Sequence, residues 1–275
     1  MQPMDNTTMA ELTMLCGPVF PPPDAVVTKL CHHLGYRMIG EPAEPADLAL
    51  YWDWHTWRTP PDDLVALAGR MPIVNLQCRD FSKRRVDAVH QRVFGRSLRV
   101  DPQAFAGPFV VKSDENAMHD GRVVYRPITP PDGGFVYQRL IDNRVDDQTV
   151  MDIRTPVIGA AIPLVYHLYR PVASRFAVDD TSARIVETAD VFSAEEIALL
   201  KRFTASMGMD YAELDVLRDR EHGQIWVVDA NPTPWGPPRT LGATEHRLAV
   251  ERLSAAFQAF VRTLLAAGPR STSPA

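Results

Sequence analysis

The sequence has few of the features that mark membrane, secreted or zinc-binding proteins. Its 275 residues include three cysteines, an odd number without the spacing of metal ligands, so neither a disulfide framework nor a zinc site is expected. No apolar run approaches the roughly 20 residues that a membrane-spanning helix requires, and the N-terminus lacks the basic start and apolar stretch of a signal peptide. We therefore expect a cytoplasmic protein without a membrane partner.

Basic residues are also in short supply. Lysine and arginine total 29 against 34 aspartates and glutamates, which gives a formal net charge of −5. Recognition of a nucleic-acid backbone normally needs a basic surplus, so we expect no nucleic-acid partner. The composition, 45% hydrophobic and 23% charged, is that of a globular protein with a sizeable core.

Two kinds of pattern follow each other along the chain. In the first hundred residues, short apolar runs (LTMLCGPVF, ADLALYW and MPIVNL) alternate with helical patterns, which predicts a small parallel α/β layer. A longer helix is predicted over 82–94, with Ser82 as its N-cap and Gly95 after its end. From residue 107 onward paired strands dominate, with helices at 193–207 and 245–265. We predict an N-terminal domain over 1–100, a second domain over 101–267 and a disordered tail over 268–275.

The most informative segment is YAELDVLRDREHGQIWVVDANPTP. Side chains alternate along a strand, so Asp229 and Asn231 share one face, as do Glu213 and Asp215 on the preceding strand. A hairpin of the two strands brings Asp215 near Asp229 and Asn231. Carboxylate and amide oxygens are hard ligands suited to Mg²⁺ that also holds substrate phosphates. The alternative is that Asp229 and Asn231 only end a strand, since Asp, Asn and Pro are common in turns.

This segment resembles the ATP-grasp superfamily of carboxylate-amine ligases, of the glutathione-synthetase and ribosomal-modification type. Members typically carry an Asp-hydrophobic strand, a short turn and a strand that closes on Glu-x-Asn-x-x-Pro. Here Asp215 is followed by Asp229-Ala230-Asn231-Pro232-Thr233-Pro234, with Asp where Glu is more usual. The resemblance implies an α/β (α+β) ATP-grasp fold with a small N-terminal Rossmann-like domain.

Upstream residues match further positions of the superfamily in the expected order. The resemblance implies that nucleotide is bound by Lys83, before the linker, by Lys112 in FVVK, and by Gln138 with the main chain of Arg139 and Leu140 at the adenine hinge. It also implies a catalytic Arg170 in HLYRP, with Arg154 in Asp152-Ile153-Arg154. Taken singly, the lysines and Gln138 could be solvent-facing groups and the arginines structural ion-pair partners.

The activity implied by the resemblance is ATP-dependent amide-bond formation. Asp215, Asp229 and Asn231 would hold one or two Mg²⁺ ions, the lysines would neutralise phosphates, and the arginines would stabilise the transferring group. The four cations Lys83, Lys112, Arg154 and Arg170 should then form a basic cleft beside a small acidic metal cluster. The expected partners are a small-molecule or peptide carboxylate and an amine, and a homodimer is left open.

Three features leave alternatives open. The loop SDENAMHDG, expected to cover the triphosphate, carries three acids where glycines are usual, and acids near a triphosphate repel it unless they turn outward. Trp235 and Arg239 could face the substrate, or Trp235 could anchor the core. The aromatic residues Tyr51, Trp52, Trp54 and Trp57 could line the acceptor cleft or only seal the interface between the two units. An ATP-grasp kinase and a non-catalytic nucleotide-binding homologue remain the alternative functions.

Overall fold

The computed structural model describes residues 12–130, 133–177 and 180–269. Four short parallel strands open the chain in the order β2-β1-β3-β4, comprising β1 (Thr13–Pro18), β2 (Arg37–Ile39), β3 (Leu48–Trp52) and β4 (Ile73–Val74). The crossovers carry α1 (Val26–Leu34) and α2 (Asp62–Leu67). Alternate β1 residues feed different cores, since Met14 and Cys16 pack with α1 whereas Leu15 packs with Leu64 of α2. The predicted parallel α/β layer is confirmed.

A three-stranded antiparallel sheet follows, in the order β6-β5-β7. It consists of β5 (Phe109–Ser113), β6 (Arg122–Val124) and β7 (Phe135–Arg139). We call β5, β6 and the connecting loop 113–121 the covering hairpin. Lys112 lies near its outer end, opposite Val136 of β7.

The central sheet has five antiparallel strands in the order β10-β9-β8-β11-β12. They are β8 (Thr149–Ile158), β9 (Val165–Pro171), β10 (Ser182–Val186), β11 (Tyr211–Arg218) and β12 (Ile225–Asn231). β11 and β12 form the predicted hairpin, with Asp215 directly opposite Asp229 and Glu213 opposite Asn231. A register shift between Asp215 and Val216 ends this regular pairing just beside the two aspartates.

Helices cover the central sheet on both sides. The remaining helices are α3 (Lys83–Phe94), the short η1 (Val172–Ser174) and α4 (Thr188–Val191), α5 (Ala194–Ser206) and α6 (Ala243–Ala267). α3 and α5 share a core with β8, β11 and β12, whereas Leu253 and Phe257 of α6 join a core with α1 and the first sheet. No helix in the described part of the chain is both long and apolar enough to cross a membrane.

Local capping explains why α3 and α5 begin where they do. The Ser82 hydroxyl accepts from Arg85 N, and Gly95 ends α3 in a left-handed conformation at φ 74°. Ser193 and Glu196 form a capping box at the start of α5. α3 was assigned to the first predicted domain but packs on the central sheet, and the division at residue 100 stays a prediction. Of the predicted tail, residues 270–275 lie outside the described part.

Candidate active site

One cavity of about 900 Å³ lies between the covering hairpin, the central sheet and the N-terminal unit. All ten predicted site residues line it, namely Lys83, Lys112, Gln138, Arg139, Leu140, Arg154, Arg170, Asp215, Asp229 and Asn231. They come from α3, β5, β7, β8, β9, β11 and β12, so the fold brings together residues up to 148 positions apart, from Lys83 to Asn231. The size is that of a cavity for a nucleotide-sized ligand with room beside it.

Asp215 and Asp229 face each other across the β11–β12 hairpin at the cavity wall. Lys83 Nζ lies 3.9 Å from Asp229 Oδ2. The amide oxygen of Asn231 accepts from both the main-chain N–H and the hydroxyl of Thr233, each at 2.9 Å, so it already serves the turn that follows β12. Within the described residues there is no cluster of three or more His, Cys, Asp or Glu side chains that could hold a metal by itself.

Arg154 is held between two acids of the neighbouring strand. Its Nε donates to Asp215 Oδ1 at 3.1 Å and lies 3.4 Å from Glu213 Oε1. Burial disfavours the guanidinium charge, but Asp215 and Glu213 outweigh burial and raise the pKa of Arg154. Burial raises the pKa of Glu213 to about 7, against the opposing pull of Arg154 and with the help of Asp215. Arg154 therefore neutralises part of the acidic cluster.

Arg170 has a similar environment on β9. Its guanidinium pairs with Asp152 of β8 and with Asp180, and the arginine is only 6% exposed. Burial raises the pKa of Asp152 to about 6 although Arg170 lowers it. The Nε atom of Arg170 is buried and has no hydrogen-bond partner among the described residues.

The cavity is less basic than the sequence predicted. The cavity walls carry eight lysines and arginines but also seven aspartates and glutamates, and both predicted catalytic arginines are ion-paired. Ion pairing of the arginines was the alternative left open by the sequence, but the partners could not be named because Asp152 and Asp180 meet Arg170 only once β8, β9 and the turn after β9 are folded. A nearly balanced wall leaves little net positive charge for a polyanion.

The two lysines of the site lie close to the aspartate pair. Lys83 Nζ donates to Glu115 O at 2.9 Å, and Lys112 Nζ donates to Val228 O at 3.2 Å. Burial lowers the pKa of the half-buried Lys112 to about 8, against the pull of Asp229. Both ammonium groups thus stand beside the aspartate pair and are held there by main-chain carbonyls.

The acidic loop 113–121 is tied down on both flanks. Asp114 is buried and accepts from Arg84 N at 2.9 Å at the start of α3, where the helix N-terminus favours negative charge. Asp120 Oδ1 accepts from Ser113 N, and Asn116 N donates to Thr56 Oγ1 at 2.8 Å. Asp114 is therefore turned away, which removes part of the repulsion expected from the sequence.

The main chain of the predicted adenine hinge is hydrogen-bonded within the protein, and its role toward adenine stays a prediction. The N–H groups of Arg139 and Leu140 already donate to Leu98 O and Pro108 O, so neither is free to meet a base. Gln138 is buried, and its Nε2 atom has no partner within the described residues. The apolar side chains of Leu98, Ile141, Leu217 and Val228 pack together at this end of the cavity.

Of the five aromatic residues singled out in the sequence, two line the cavity. Tyr51 and Trp52 are fully buried, whereas Trp54 and Trp235 line the cavity at 54% and 49% exposure. The core-anchor alternative for Trp235 is therefore wrong. Trp57 is exposed at 56%, and Arg239 lies 3.5 Å from Asp24 in the cavity wall.

Comparison with known proteins gives matches in structure alone. No family model and no curated protein sequence matches the chain. ATP-grasp ligase PsnB, complexed with a minimal precursor, superposes with a TM-score of 0.56 at 12% identity, over 91% of this chain and 99% of that one. D-alanine–D-alanine ligase from Bacillus anthracis has a TM-score of 0.56 at 14% identity, over 94% and 100% of the two chains.

A third solved structure agrees with these two. VanG D-Ala:D-Ser ligase from Enterococcus faecalis has a TM-score of 0.53 at 12% identity, over 82% of this chain and 74% of that one. Structural similarity at so low a sequence identity establishes the fold alone. The chain has the ATP-grasp fold, as expected, whereas the Rossmann-like character of the N-terminal part stays a prediction.

Proposed function

We propose that this protein is an ATP- and Mg²⁺-dependent ligase that joins a substrate carboxylate to an amine. A carboxylate oxygen attacks the γ-phosphorus of ATP and ADP leaves. The amine nitrogen then attacks the acyl carbon, phosphate leaves, and the amine gives up a proton. The observation that carries the proposal is that two opposed aspartates, two lysines and two arginines meet in one cavity of an ATP-grasp fold.

The cavity fits a nucleotide at the end formed by β7. The orphaned Nε2 of buried Gln138 is a donor for a base nitrogen, and the apolar group of Leu98, Ile141, Leu217 and Val228 can sandwich the ring. Among neighbouring structures, D-alanine–D-alanine ligase was solved with ATP and PsnB with Mg and ADP. In this chain Lys83 and Lys112 would neutralise the phosphates.

The donor set also fits Mg²⁺. Asp215 and Asp229 would hold the ion. The amide oxygen of Asn231 would join them if its hydrogen bonds with Thr233 are released. Two carboxylates with few further ligands suit an ion that is completed by water and substrate phosphates. When bound, Mg²⁺ supplies charge neutralisation between the phosphate oxygens. This positive charge is what the nearly balanced cavity wall needs to accept a polyanion.

Arg170 and Arg154 are the proposed catalytic residues. The unpartnered Nε of Arg170 is a donor aimed from a buried and rigidly paired guanidinium, so it needs little reorganisation to meet developing charge. Arg154 stays charged because Asp215 and Glu213 raise its pKa. Both arginines would stabilise the transferring group and the tetrahedral adduct formed by the amine.

Trp54 and Trp235 are proposed to wall the substrate pocket. Trp235 is held firmly, because Val26 N donates to Pro234 O at 3.0 Å and Lys29 Nζ donates to Gly236 O at 2.7 Å. Two exposed indoles at a cavity mouth suit an amino acid or peptide with an apolar side chain. PsnB was solved with precursor peptide PsnA2 and AMPPNP, which supports a peptide as one candidate.

The wall residue gives a testable expectation. Trp235→Ala should raise KM for the apolar substrate by about tenfold, from the loss of about 1.5 kcal/mol of aromatic contact, and leave nucleotide affinity unchanged. Steady-state kinetics and calorimetry measure the two quantities. An unchanged KM would remove Trp235 from the pocket.

ADP release tests the function itself. Purified protein with Mg·ATP is given a panel of amino acids and peptides as carboxylates, with and without an amine. A ligase releases ADP in step with amide product only when both are present, a kinase needs no amine, and a non-catalytic homologue releases none. Asp229→Ala should abolish turnover, whereas Asp147→Ala, an exposed carboxylate outside the cavity, should not. A cytoplasmic location and a homodimer stay predictions.

A further inference from the structure

An aromatic ring packs against the covering hairpin where its loop meets β6. Gly121 lies where loop 113–121 enters β6, and a Cβ atom placed on it would lie 2.9 Å from Cδ1 and 3.0 Å from Cγ of Phe176. The φ of Gly121 is outside the left-handed region, so any L-residue could adopt its backbone conformation. Glycine is needed here for space, because the Phe176 ring lies directly against the main chain of the hairpin.

Phe176 is anchored through its neighbour Arg175. Arg175 Nη2 donates to Ile141 O at 3.2 Å and to Asn143 Oδ1 at 2.6 Å. Its guanidinium carbon lies 5.7 Å from the centroid of the Phe176 ring. The turn after β9 therefore contacts the segment after β7 on one side and the loop end of the covering hairpin on the other.

The same contacts continue to the proposed catalytic arginine. Asn143 Nδ2 donates to Asp152 Oδ1 at 2.8 Å, and the other Asp152 oxygen accepts from Arg170. Arg170, Asp152, Asn143, Arg175 and Phe176 all line the cavity. A continuous set of contacts thus joins Arg170, residues 141–143 after β7, which we call the hinge segment, and the covering hairpin.

We propose that Arg175 and Phe176 are positioning residues that clasp the covering hairpin in its closed place over the nucleotide phosphates. This inference rests on the proposed function. The ring of Phe176 sets how closely Gly121, and with it loop 113–121, approaches the central sheet. Arg175 fixes the ring to the hinge segment, so that Lys112 on β5 and Arg170 on β9 keep one relative placement.

The clasp acts on the phosphate end of a nucleotide, because Gly121 belongs to the hairpin that carries Lys112. A looser clasp should weaken the binding of ligands that carry phosphates. It should leave the affinity for adenosine unchanged, because adenosine contacts only the end of the cavity formed by β7. Gly121→Ala forces the ring and the hairpin apart, and Phe176→Ala removes the ring. Each should raise the Kd of Mg·AMPPNP by about three- to tenfold and change that of adenosine less than about twofold.

The double variant separates a clasp from simple damage. In Gly121→Ala/Phe176→Ala the added methyl meets no ring, so its Kd for Mg·AMPPNP should equal that of Phe176→Ala alone rather than the product of both effects. Arg175→Gln keeps an amide donor for Ile141 O and Asn143 Oδ1 and should bind within about threefold of the native protein, whereas Arg175→Ala should resemble Phe176→Ala. Gly69→Ala, with open space and no positive φ, is the matched glycine control.

Titration calorimetry with Mg·AMPPNP and adenosine, with amide hydrogen exchange of residues 113–121, tests the inference. We expect AMPPNP to protect these amides in the native protein and in Gly69→Ala, and to protect them less in Gly121→Ala and Phe176→Ala. Native-like AMPPNP affinity in Phe176→Ala, or equal loss of adenosine affinity, overturns the clasp and leaves the proposed function intact. A native protein that binds neither Mg·AMPPNP nor adenosine overturns both the clasp and the proposed function. Thermal unfolding of each variant identifies loss of fold, in which case Phe176→Leu replaces Phe176→Ala.

Discussion

Asn75 joins the N-terminal sheet to the strands of the candidate metal site. It is fully buried directly after β4, and its side chain makes four hydrogen bonds. Oδ1 accepts from Asp210 N at 2.8 Å and Tyr211 N at 2.9 Å, and Nδ2 donates to Tyr211 O at 2.7 Å and Pro232 O at 3.3 Å. These partners lie at the start of β11 and just after Asn231, so one side chain fixes both strands of the hairpin.

Replacement of Asn75 should therefore be costly. Removal of the side chain takes the acceptor from the buried N–H of Tyr211 and the partly buried N–H of Asp210, at about 1–3 kcal/mol for a buried group, so Asn75→Gly should lower the free energy of unfolding by about 3–5 kcal/mol. Asn75 has φ 62°, in the left-handed region, so Asn75→Ala should lose about 1 kcal/mol more than Asn75→Gly.

Urea unfolding followed by circular dichroism measures these losses. Gln77→Ala, an exposed residue two positions away, is the control and should stay within about 0.5 kcal/mol of the native protein. An Asn75→Gly variant that loses less than about 1 kcal/mol would refute the reasoning that these hydrogen bonds join the two parts. If Asn75→Gly is less stable than Asn75→Ala, the left-handed backbone conformation at residue 75 does not cost what we assign to it.

Two further predictions concern pH. Burial lowers the pKa of Lys112 to about 8, so its ammonium loses its proton between pH 7 and 9 and ADP affinity without Mg²⁺ should fall over that range. Lys112→Arg should flatten the profile, since guanidinium stays charged, and an equally steep profile would count against Lys112 as a phosphate ligand. Burial, aided by Arg96, lowers the pKa of His90 to about 3 from 6.5, so the native state loses stability as pH falls through that interval, by up to about 1.4 kcal/mol per unit. His90→Phe should unfold in urea with a shallower pH dependence, and an unchanged slope would contradict that assignment.

The parts of the fold that follow from local rules were predictable. The predicted hairpin brought Asp215 near Asp229, which the structure confirms, and Ser82 and Gly95 bounded α3 as expected. The short strands β2 and β10 were missed, because runs of three and five residues give little hydrophobic periodicity.

The pairing of charges could not be predicted from the sequence. A carboxylate such as Asp152 could face solvent or any cation, and only the register of β8 against β9 sets it beside Arg170. Asn75 gave no signal at all, since its four partners lie more than 130 positions away. The hydrogen bonds of Arg139 N and Leu140 N at the predicted hinge could not be foreseen either, because their acceptors, Leu98 O and Pro108 O, lie outside β7.

Trapping of an activated carboxylate tests the central claim most directly. Hydroxylamine is an amine that attacks acyl phosphates, so Mg·ATP, a panel of amino acids and peptides, and hydroxylamine should yield a hydroxamate together with an equal amount of ADP. Asp229→Ala should yield neither, and Asp147→Ala should match the native protein. ADP formed with a phosphorylated hydroxyl product and no hydroxamate, or hydroxamate formed equally by Asp229→Ala, would contradict the assignment of carboxylate-amine ligase chemistry to this cavity.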